Sequence, residues 1–364
     1  MKNLSARKKI RSLKLPTGGI DFTSNDYLGL ARSPDLHRMI ADAWSSLTVK
    51  RNGSTGSRLL SGNSELIENV EKKLAGIFNS ESTLLFDSGY SANLAVLSTL
   101  PQRGDTIIMD ELAHASLKDG ARLSLATKWN FKHNDIDDLG KKLESATGEK
   151  WIVLESIYSM DGDECNLKEI CAVAEKLNAR IVLDEAHSTG VLGTGGNGLA
   201  NQDKFRDKID VIVYTFGKGM GVHGACVSCN KETKNLLVNF SRPFIYTTAP
   251  ADHSVISVAC AFDYLADNGH LQNELRSRID YFRTIANEIK GWNRSESQIQ
   301  VVIVPGYETV NTAAGNLQHA GFDVRPILSP TVKEGQERLR ICLHTYNSNE
   351  DIGSLIENMK SLGL

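Results

Sequence analysis

The sequence predicts a wound α/β domain with a mostly parallel sheet, followed by a smaller α+β domain. Short apolar runs without polar alternation recur through the first two thirds of the chain, and amphipathic stretches separate them. Strands buried on both faces of a parallel sheet have this texture. Longer helical stretches and short strands follow, so we expect a short segment at 1–22 and domains at 23–249 and 250–364.

Five apolar runs are predicted to form strands of the larger domain. They span residues 83–86, 106–109, 151–154, 181–183 and 211–214. A further strand is predicted at 224–230, where Cys226 and Cys229 have a spacing known from redox and zinc sites. Residues i and i+3 of a strand face opposite sides, and no second pair of ligands stands nearby, so we favour packing and predict no metal site.

Capping residues and apolar periodicity predict the helices. Ser64 is a candidate N-cap, Glu65 and Glu68 follow in the first turn, and the next residues form one apolar face. That face consists of Leu66, Ile67, Val70, Leu74 and Ile77. Further helices are expected at 92–100, 167–177, 251–266, 271–289, 311–320 and 349–362, and further strands at 301–304, 324–327 and 339–343.

Composition excludes several classes of protein. Lys and Arg total 41 against 44 Asp and Glu, a net charge of −3, so the basic surface of a nucleic-acid binder is not expected. No apolar run approaches the ~20 residues that cross a bilayer. The basic N-terminus lacks a secretory apolar core, and we favour a short basic helix over a transit peptide. The six cysteines are scattered, and we expect a cytoplasmic protein that binds neither membrane nor nucleic acid.

Polar side chains follow each predicted strand of the larger domain. The carboxyl ends of parallel strands meet at one edge of a sheet, where ligands bind. The residues that follow the five strands are, in chain order, Ser88, Gly89 and Tyr90; His114; Glu155 and Ser159; Asp184 and His187; and Thr215 and Lys218.

Pyridoxal phosphate is the cofactor that uses this set of groups. Asp184 would keep the ring nitrogen protonated, and His187 would reach the ring hydroxyl. Lys218 lies in a Gly-flanked turn and would form a Schiff base with the aldehyde. Each residue also has a simpler interpretation, as a helix cap, a core histidine or a solvated lysine. Five suitable strand ends in chain order favour the cofactor.

The remaining strand ends suit the ring face and the phosphate. His114 could stack on the ring and hydrogen-bond a developing oxyanion. A Ser-Gly turn before a helix offers free backbone N–H groups to a phosphate. The residues predicted to hold the phosphate are Ser88, Gly89, Tyr90 and Thr215.

Four motifs together resemble the α-oxoamine synthases, a family of fold-type I pyridoxal-phosphate transferases. They are SNDYLGL at 24–30, GSTGSRLLSG at 53–62, DEAHSTG at 184–190 and TFGKG at 215–219. The resemblance runs from about residue 22 to the C-terminus and implies an aspartate aminotransferase-like fold. It assigns catalysis to Lys218, His114 and Asp184, and it places Ser159 with His187 near the ring hydroxyl.

The resemblance also implies partners. The family forms homodimers with a shared site, so Thr247 and Thr248 would contact the phosphate in the neighbouring subunit. Arg340 would bind the amino-acid carboxylate, a role that suits a guanidinium. Asn25 would assist Arg340, and Thr331, like His114, would lie near the acyl substrate. Arg7 and Arg11 are candidates for a further substrate contact, and Leu328 stands where many relatives carry Arg.

The implied reaction is a decarboxylative condensation of L-alanine with a pimeloyl thioester, carried by CoA or by an acyl carrier protein, in biotin biosynthesis. Glycine with acetyl-CoA, or serine with a long-chain acyl-CoA, is the alternative substrate pair. A non-catalytic relative of this fold is the other class we considered. Such a protein should lack the lysine or the ring aspartate, whereas Lys218 and Asp184 are both present.

Overall fold

The computed structural model describes Leu13, Leu15 and residues 18–364. Arg7, Arg11 and the expected N-terminal basic helix lie outside the described residues. None of the helices in the described part of the chain is long and apolar enough to cross a membrane.

A seven-stranded sheet forms the centre of the larger domain. Its strands are β2 Ser82–Phe86, β3 Thr106–Asp110, β4 Thr127–Phe131, β5 Lys150–Glu155, β6 Ala179–Asp184, β7 Val211–Thr215 and β8 Ala225–Cys229, and a short strand β1, Ile20–Asp21, precedes them. They stand in the order β2, β8, β7, β6, β5, β3, β4, and β8 runs antiparallel to both of its neighbours. The predicted wound, mostly parallel sheet is therefore confirmed.

Strand β4 was not predicted from the sequence. It lies at the edge of the sheet, pairs with β3, and is mostly exposed except for Phe131. Its polar residues break the continuous apolar pattern that marks the inner strands. Cys226 and Cys229 lie in β8, and all six cysteines are buried and unbridged.

Helices cover both faces of the sheet. Ser64 caps its helix as predicted, accepting a hydrogen bond from the backbone N–H of Ile67. The helix expected at 311–320 begins four residues earlier, at Tyr307, because Gly306 allows the chain to turn there. The helices are α1 Pro34–Ser45, α2 Glu65–Ile77, α3 Gly89–Thr99, α4 Ala115–Leu123, α5 Ile136–Ser145, α6 Leu167–Leu177, α7 Leu199–Gln202, α8 Lys231–Phe240, α9 Arg242–Ile245, α10 Asp252–Asp267, α11 His270–Ile285, α12 Tyr307–His319 and α13 Asn349–Ser361.

The C-terminal region forms a second, antiparallel sheet. Its four strands stand in the order β12, β13, β10, β9, and β11 pairs separately with β1. Helix α10 packs against α1 and α2 beside the larger sheet, and the domain boundary near residue 250 stays a prediction. The strands are β9 Trp292–Asn293, β10 Ile299–Ile303, β11 Phe322–Asp323, β12 Arg325–Ile327 and β13 Arg338–Cys342.

The N-terminal segment joins the two sheets. The Phe22 carbonyl accepts a hydrogen bond from the backbone N–H of Cys342 at 2.8 Å, and Tyr27 is fully buried between the segment and the core. This segment carries Asn25 to the edge of the larger sheet, where the strands end in polar residues.

Candidate active site

A cavity of about 310 Å³ lies at the carboxyl edge of the larger sheet. Residues from five strand ends and from the segment around Asn25 line it, as expected from the sequence. The predicted site residues that line the cavity are Asn25, Ser88, Gly89, Tyr90, His114, Asp184, Thr215 and Lys218.

Asp184 lies at the end of β6 and is almost completely buried. Its Oδ1 accepts from the backbone N–H of Ala186 at 2.9 Å, and its Oδ2 accepts from Nδ2 of Asn93 at 2.7 Å. These two donors hold the carboxylate in one orientation at the cavity wall. Asn93 comes from α3, and the sequence analysis missed it because an amide inside a helix has no motif.

The same Asn93 amide orients His114. Its Nδ2 also donates to Oγ of Ser116 at 2.9 Å, so the Ser116 hydroxyl donates to Nδ1 of His114 at 2.7 Å. The backbone N–H of Ser116 donates to the same nitrogen. Burial lowers the pKa of His114; the nearby Asp184 carboxylate opposes this effect and the charge of Lys218 adds to it, and the net lowering favours the neutral ring. The proton therefore sits on Nε2.

Lys218 follows β7 in its Gly-flanked turn, is half-buried and lines the cavity. Burial lowers the pKa of its amine, and the nearby carboxylates of Asp184 and Glu155 partly oppose that effect. Its Nζ lies 2.8 Å from Nε2 of His187. Nδ1 of His187 lies 2.7 Å from the phenol oxygen of Tyr27. The amine of Lys218, the imidazole of His187 and the phenol of Tyr27 thus form one hydrogen-bonded row.

Glu155 is a second carboxyl beside Asp184. In the parallel pairing of β5 with β6 the two residues are direct register partners, and both line the cavity. Burial raises the pKa of Glu155, and the charge of Asp184 raises it further. Glu155 was expected at its strand end from the sequence, but no role was predicted for it.

A cradle for a phosphate lies where α3 begins. Ser88 caps this helix, accepting from the backbone N–H of Ser91 at 3.2 Å. A Cβ at Gly89 would lie 2.3 Å from Cγ2 of Thr215, so only glycine lets these two segments come this close. The first N–H groups of a helix have no partner inside the helix, and they attract an anion. Tyr90 lines the same corner and donates its hydroxyl proton to Asp119.

These features fit pyridoxal phosphate. The group needs an amine, an anion for its ring nitrogen and donors for its phosphate, and the cavity provides Lys218, Asp184 and the cradle at Ser88 and Gly89. Within the described ranges, no group of three or more His, Cys, Asp or Glu side chains is arranged to hold a metal ion.

Arg340 and Asn25 meet beside this site, as the resemblance implied. Nη2 of Arg340 donates to Oδ1 of Asn25 at 3.1 Å, and Nε donates to the carbonyl oxygen of Ser159 at 2.6 Å. Arg340 lies on β13 of the smaller sheet and is almost completely buried. A guanidinium held in this way presents its remaining N–H groups with little freedom, which suits a carboxylate.

Other predicted residues lie apart from the cavity lining. Ser159 contributes its backbone carbonyl to Arg340, and His187 lies behind Lys218. Thr247 is half-buried and Thr248 is exposed, and neither lines the cavity of its own chain. Thr331 is exposed in the turn after β12, where its N–H donates to the carbonyl of Leu328. The roles expected for these residues stay predictions.

Comparison with known proteins identifies the family of the chain. A family model described as aminotransferase class I and II matches residues 17–358. An 8-amino-7-oxononanoate synthase of Emericella nidulans is 36% identical over 95% of this chain and 89% of its own length. The enzyme of that name from Chromobacterium violaceum is 37% identical over 93% of this chain and 88% of its own length.

The solved structures of a serine palmitoyltransferase and of an 8-amino-7-oxononanoate synthase have the same fold as this chain. A serine palmitoyltransferase of Sphingomonas wittichii superimposes with a TM-score of 0.89 at 27% identity, covering 100% of this chain and 95% of its own. An 8-amino-7-oxononanoate synthase of Francisella tularensis gives a TM-score of 0.80 at 26% identity, covering 94% and 97%.

Fold and site together define a fold-type I transferase, and the chain belongs to the aminotransferase class I and II family. Within that family it falls among the α-oxoamine synthases, which confirms the resemblance carried by its four motifs.

Proposed function

We propose that this protein is a pyridoxal-phosphate-dependent acyltransferase of the cytoplasm that makes 8-amino-7-oxononanoate for biotin synthesis. Its substrates would be L-alanine and a pimeloyl thioester of CoA or of an acyl carrier protein. A bond forms between the α-carbon of alanine and the acyl carbon, the thiol leaves, and the alanine carboxyl departs as carbon dioxide. The observation that carries the proposal is that Lys218 and Asp184 line one cavity, and that Arg340 is hydrogen-bonded to its lining residue Asn25, in a chain so similar to these synthases.

Asp184, Lys218 and the cradle at Ser88, Gly89 and Thr215 would hold the cofactor. When bound, pyridoxal phosphate supplies an aldehyde that condenses with amines and a ring that accommodates negative charge from the α-carbon. Asp184 is well prepared to pair with a protonated ring nitrogen, because Asn93 and Ala186 fix its carboxylate.

Lys218 is the proposed general base. An amine removes a proton only in its neutral form, and burial lowers the pKa of Lys218 toward that form. The lone pair of Nζ would take the α-proton of alanine and return it after the carboxyl has left. His187, at 2.8 Å, steadies the amine.

Arg340 would bind the carboxylate of alanine. Asn25 and the Ser159 carbonyl fix the guanidinium, so its orientation is set before the substrate arrives. This binding aligns the α-carbon with the Lys218 amine. His114 would donate from Nε2 to the thioester oxygen as negative charge builds there.

We further propose a homodimer that shares its sites. Apolar side chains are exposed around α4, α8 and α9, which all pack against α3, and in the loop before α2. Partner burial would remove this apolar surface from water. The exposed side chains are Leu60, Leu123, Leu125, Phe240 and Tyr246.

Steady-state turnover of alanine, glycine and serine, each paired with pimeloyl-, acetyl- and palmitoyl-CoA, tests the proposal. We expect alanine with pimeloyl-CoA to give the highest kcat/KM. Glycine with acetyl-CoA leading by about tenfold, a difference of about 1.4 kcal/mol in activation free energy, would overturn the substrate assignment. Serine with palmitoyl-CoA leading by that margin would assign the activity of the structural neighbour instead.

A further inference from the structure

Tyr27 lies in the first motif and has no role in the reaction described so far. Its ring is completely buried, and its hydroxyl touches two groups of the site. The oxygen lies 2.7 Å from Nδ1 of His187 and 2.9 Å from Oδ1 of Asn25. It therefore connects the residues beside Lys218 with the residues beside Arg340.

The direction of each hydrogen bond in this row follows from donor chemistry. A guanidinium can only donate, so the Asn25 atom facing Nη2 of Arg340 is the amide oxygen. That oxygen can only accept, so the single phenol proton of Tyr27 points to Asn25. The phenol oxygen is then left to accept, and the proton between it and His187 must sit on Nδ1.

His187 and Tyr27 are both uncharged in this arrangement. Burial lowers the pKa of His187 well below its usual range, and the positive charges of Lys218 and Arg340 lower it further. Burial raises the pKa of Tyr27, so the phenol keeps its proton. A neutral imidazole with its proton on Nδ1 has a lone pair on Nε2, the atom that faces Nζ of Lys218 at 2.8 Å.

We propose that Tyr27 is a positioning residue that fixes the tautomer of His187, so that Nε2 accepts a hydrogen bond on the side of Lys218 and the cofactor. The direction of its phenol proton is set by Asn25 and Arg340, which makes the tautomer depend on the carboxylate-binding corner. This inference rests on the proposed function for its catalytic consequence, but the tautomer itself belongs to the protein alone.

The other tautomer would oppose the chemistry. With its proton on Nε2, His187 would donate to the lone pair of the neutral Lys218 amine, the electron pair that has to take the α-proton. In enzymes that depend on one histidine nitrogen, the wrong tautomer lowers the rate of turnover strongly. Tyr27→Phe keeps the ring and removes only the hydroxyl that sets the choice.

Nitrogen-15 labelling of histidine tests the tautomer directly, in the cofactor-free protein and in the holoenzyme. Long-range proton–nitrogen spectra distinguish the two tautomers, and His187→Gln assigns the signal. We expect the His187 proton on Nδ1 in the wild type and on Nε2, wholly or in part, in Tyr27→Phe. A wild-type proton on Nε2 would overturn the proposal, whatever the substrate panel yields.

Kinetics provide the second readout. We expect Tyr27→Phe to lower kcat by about 2- to 10-fold, the range for losing a hydrogen bond between uncharged groups, with little change in cofactor affinity. The control is Tyr214→Phe, which removes another buried tyrosine hydroxyl, one that accepts from Asn201 at 3.2 Å. Equal effects of the two variants on kcat and on the His187 spectrum would reduce Tyr27 to a packing residue.

Asn25 offers an independent route if Tyr27→Phe folds poorly. Asn25→Leu removes the acceptor of the Tyr27 hydroxyl, so the phenol can donate to Nδ1 of His187 instead. The imidazole proton can then move to Nε2. Asn25→Asp retains an acceptor oxygen and should preserve the proton on Nδ1. The proposal fails if Asn25→Leu and Asn25→Asp give the same His187 spectrum.

Discussion

The two halves of the site are built in different ways. The cofactor half comes from neighbouring strands of one sheet, and Asp184, His187, Thr215 and Lys218 fall within residues 184–218. The carboxylate half joins Arg340 of the smaller sheet to Asn25 of the N-terminal segment, 315 positions apart in the sequence. The first half is local to the larger sheet, whereas the second exists only where three parts of the chain meet.

Because the two halves are built separately, substitutions in one half should impair a different step of the reaction from substitutions in the other half. Changes in the cofactor half should abolish chemistry while the carboxylate corner persists. Changes in the carboxylate half should weaken amino-acid binding while the cofactor stays bound.

Lys218→Ala should have the largest effect. Removing a general base alone costs about 10²–10⁴-fold, and this variant also loses the amine that would bind the cofactor aldehyde. We expect turnover to fall by at least the upper end of that range, and dialysis to remove the cofactor. The control is Lys208→Ala, an exposed lysine paired with Glu175. Appreciable turnover in Lys218→Ala would refute its assigned role.

Arg340→Lys should affect the other half. Lysine keeps the charge but loses the fork that Asn25 and Ser159 orient. Loss of one charge-assisted hydrogen bond, about 1.5–3 kcal/mol, should raise the KM for the amino acid by about 10- to 100-fold. The visible absorption of the bound cofactor should not change. Arg338→Lys, two residues earlier on β13, is the control, and an equal KM in both variants would contradict the role.

Asn93→Ala should weaken the cofactor half without destroying it. The variant removes one of two donors to Asp184 and frees the Ser116 hydroxyl from its partner. A hydrogen bond to a charged group contributes about 1.5–3 kcal/mol, so cofactor dissociation should become at least about tenfold easier. Equilibrium titration of the cofactor-free protein measures this. An unchanged dissociation constant would show that Ala186 alone suffices to orient Asp184.

His133→Gln should have the smallest effect, on stability. The two ring nitrogens of His133 are hydrogen-bonded to the carboxylates of Asp110 and Asp163. Asp110 lies four residues before His114. Asp163 lies in the turn between the paired residues 157 and 164, which also contains the Ser159 carbonyl that accepts from Arg340. Although burial alone lowers it, these two carboxylates raise the pKa of His133 to about 10. The raised pKa means that the stabilising contribution is complete below about pH 6.5 and declines as the pH rises toward 10.

Urea unfolding of both proteins between pH 6 and pH 10 checks this expectation. The difference in unfolding free energy should be about 1–3 kcal/mol at pH 6 and should narrow steadily at higher pH. A difference that is constant with pH would mean that His133 stabilises the fold by packing on Tyr158 rather than by its charge.

Much of the fold and half of the site could be predicted from the sequence. The inner strands are continuous apolar runs, and the polar residues after them lie on one edge because parallel strands end there. Strand β4 was not predicted because most of its residues are polar and exposed. The roles of Asn93 and Tyr27 were not predicted because each residue acts through a contact with a residue distant in the sequence. Neither residue type indicates such a contact by itself.

Periodicity and local turn chemistry were enough to predict the wound sheet, the row of strand-end residues and the turn that carries Lys218. The folded structure was needed to establish which nitrogen of His187 faces Lys218 and how Arg340 is oriented. Those outcomes depend on which atoms meet across the two sheets, and hydrogen-bond direction is a property of such meetings rather than of any stretch of chain.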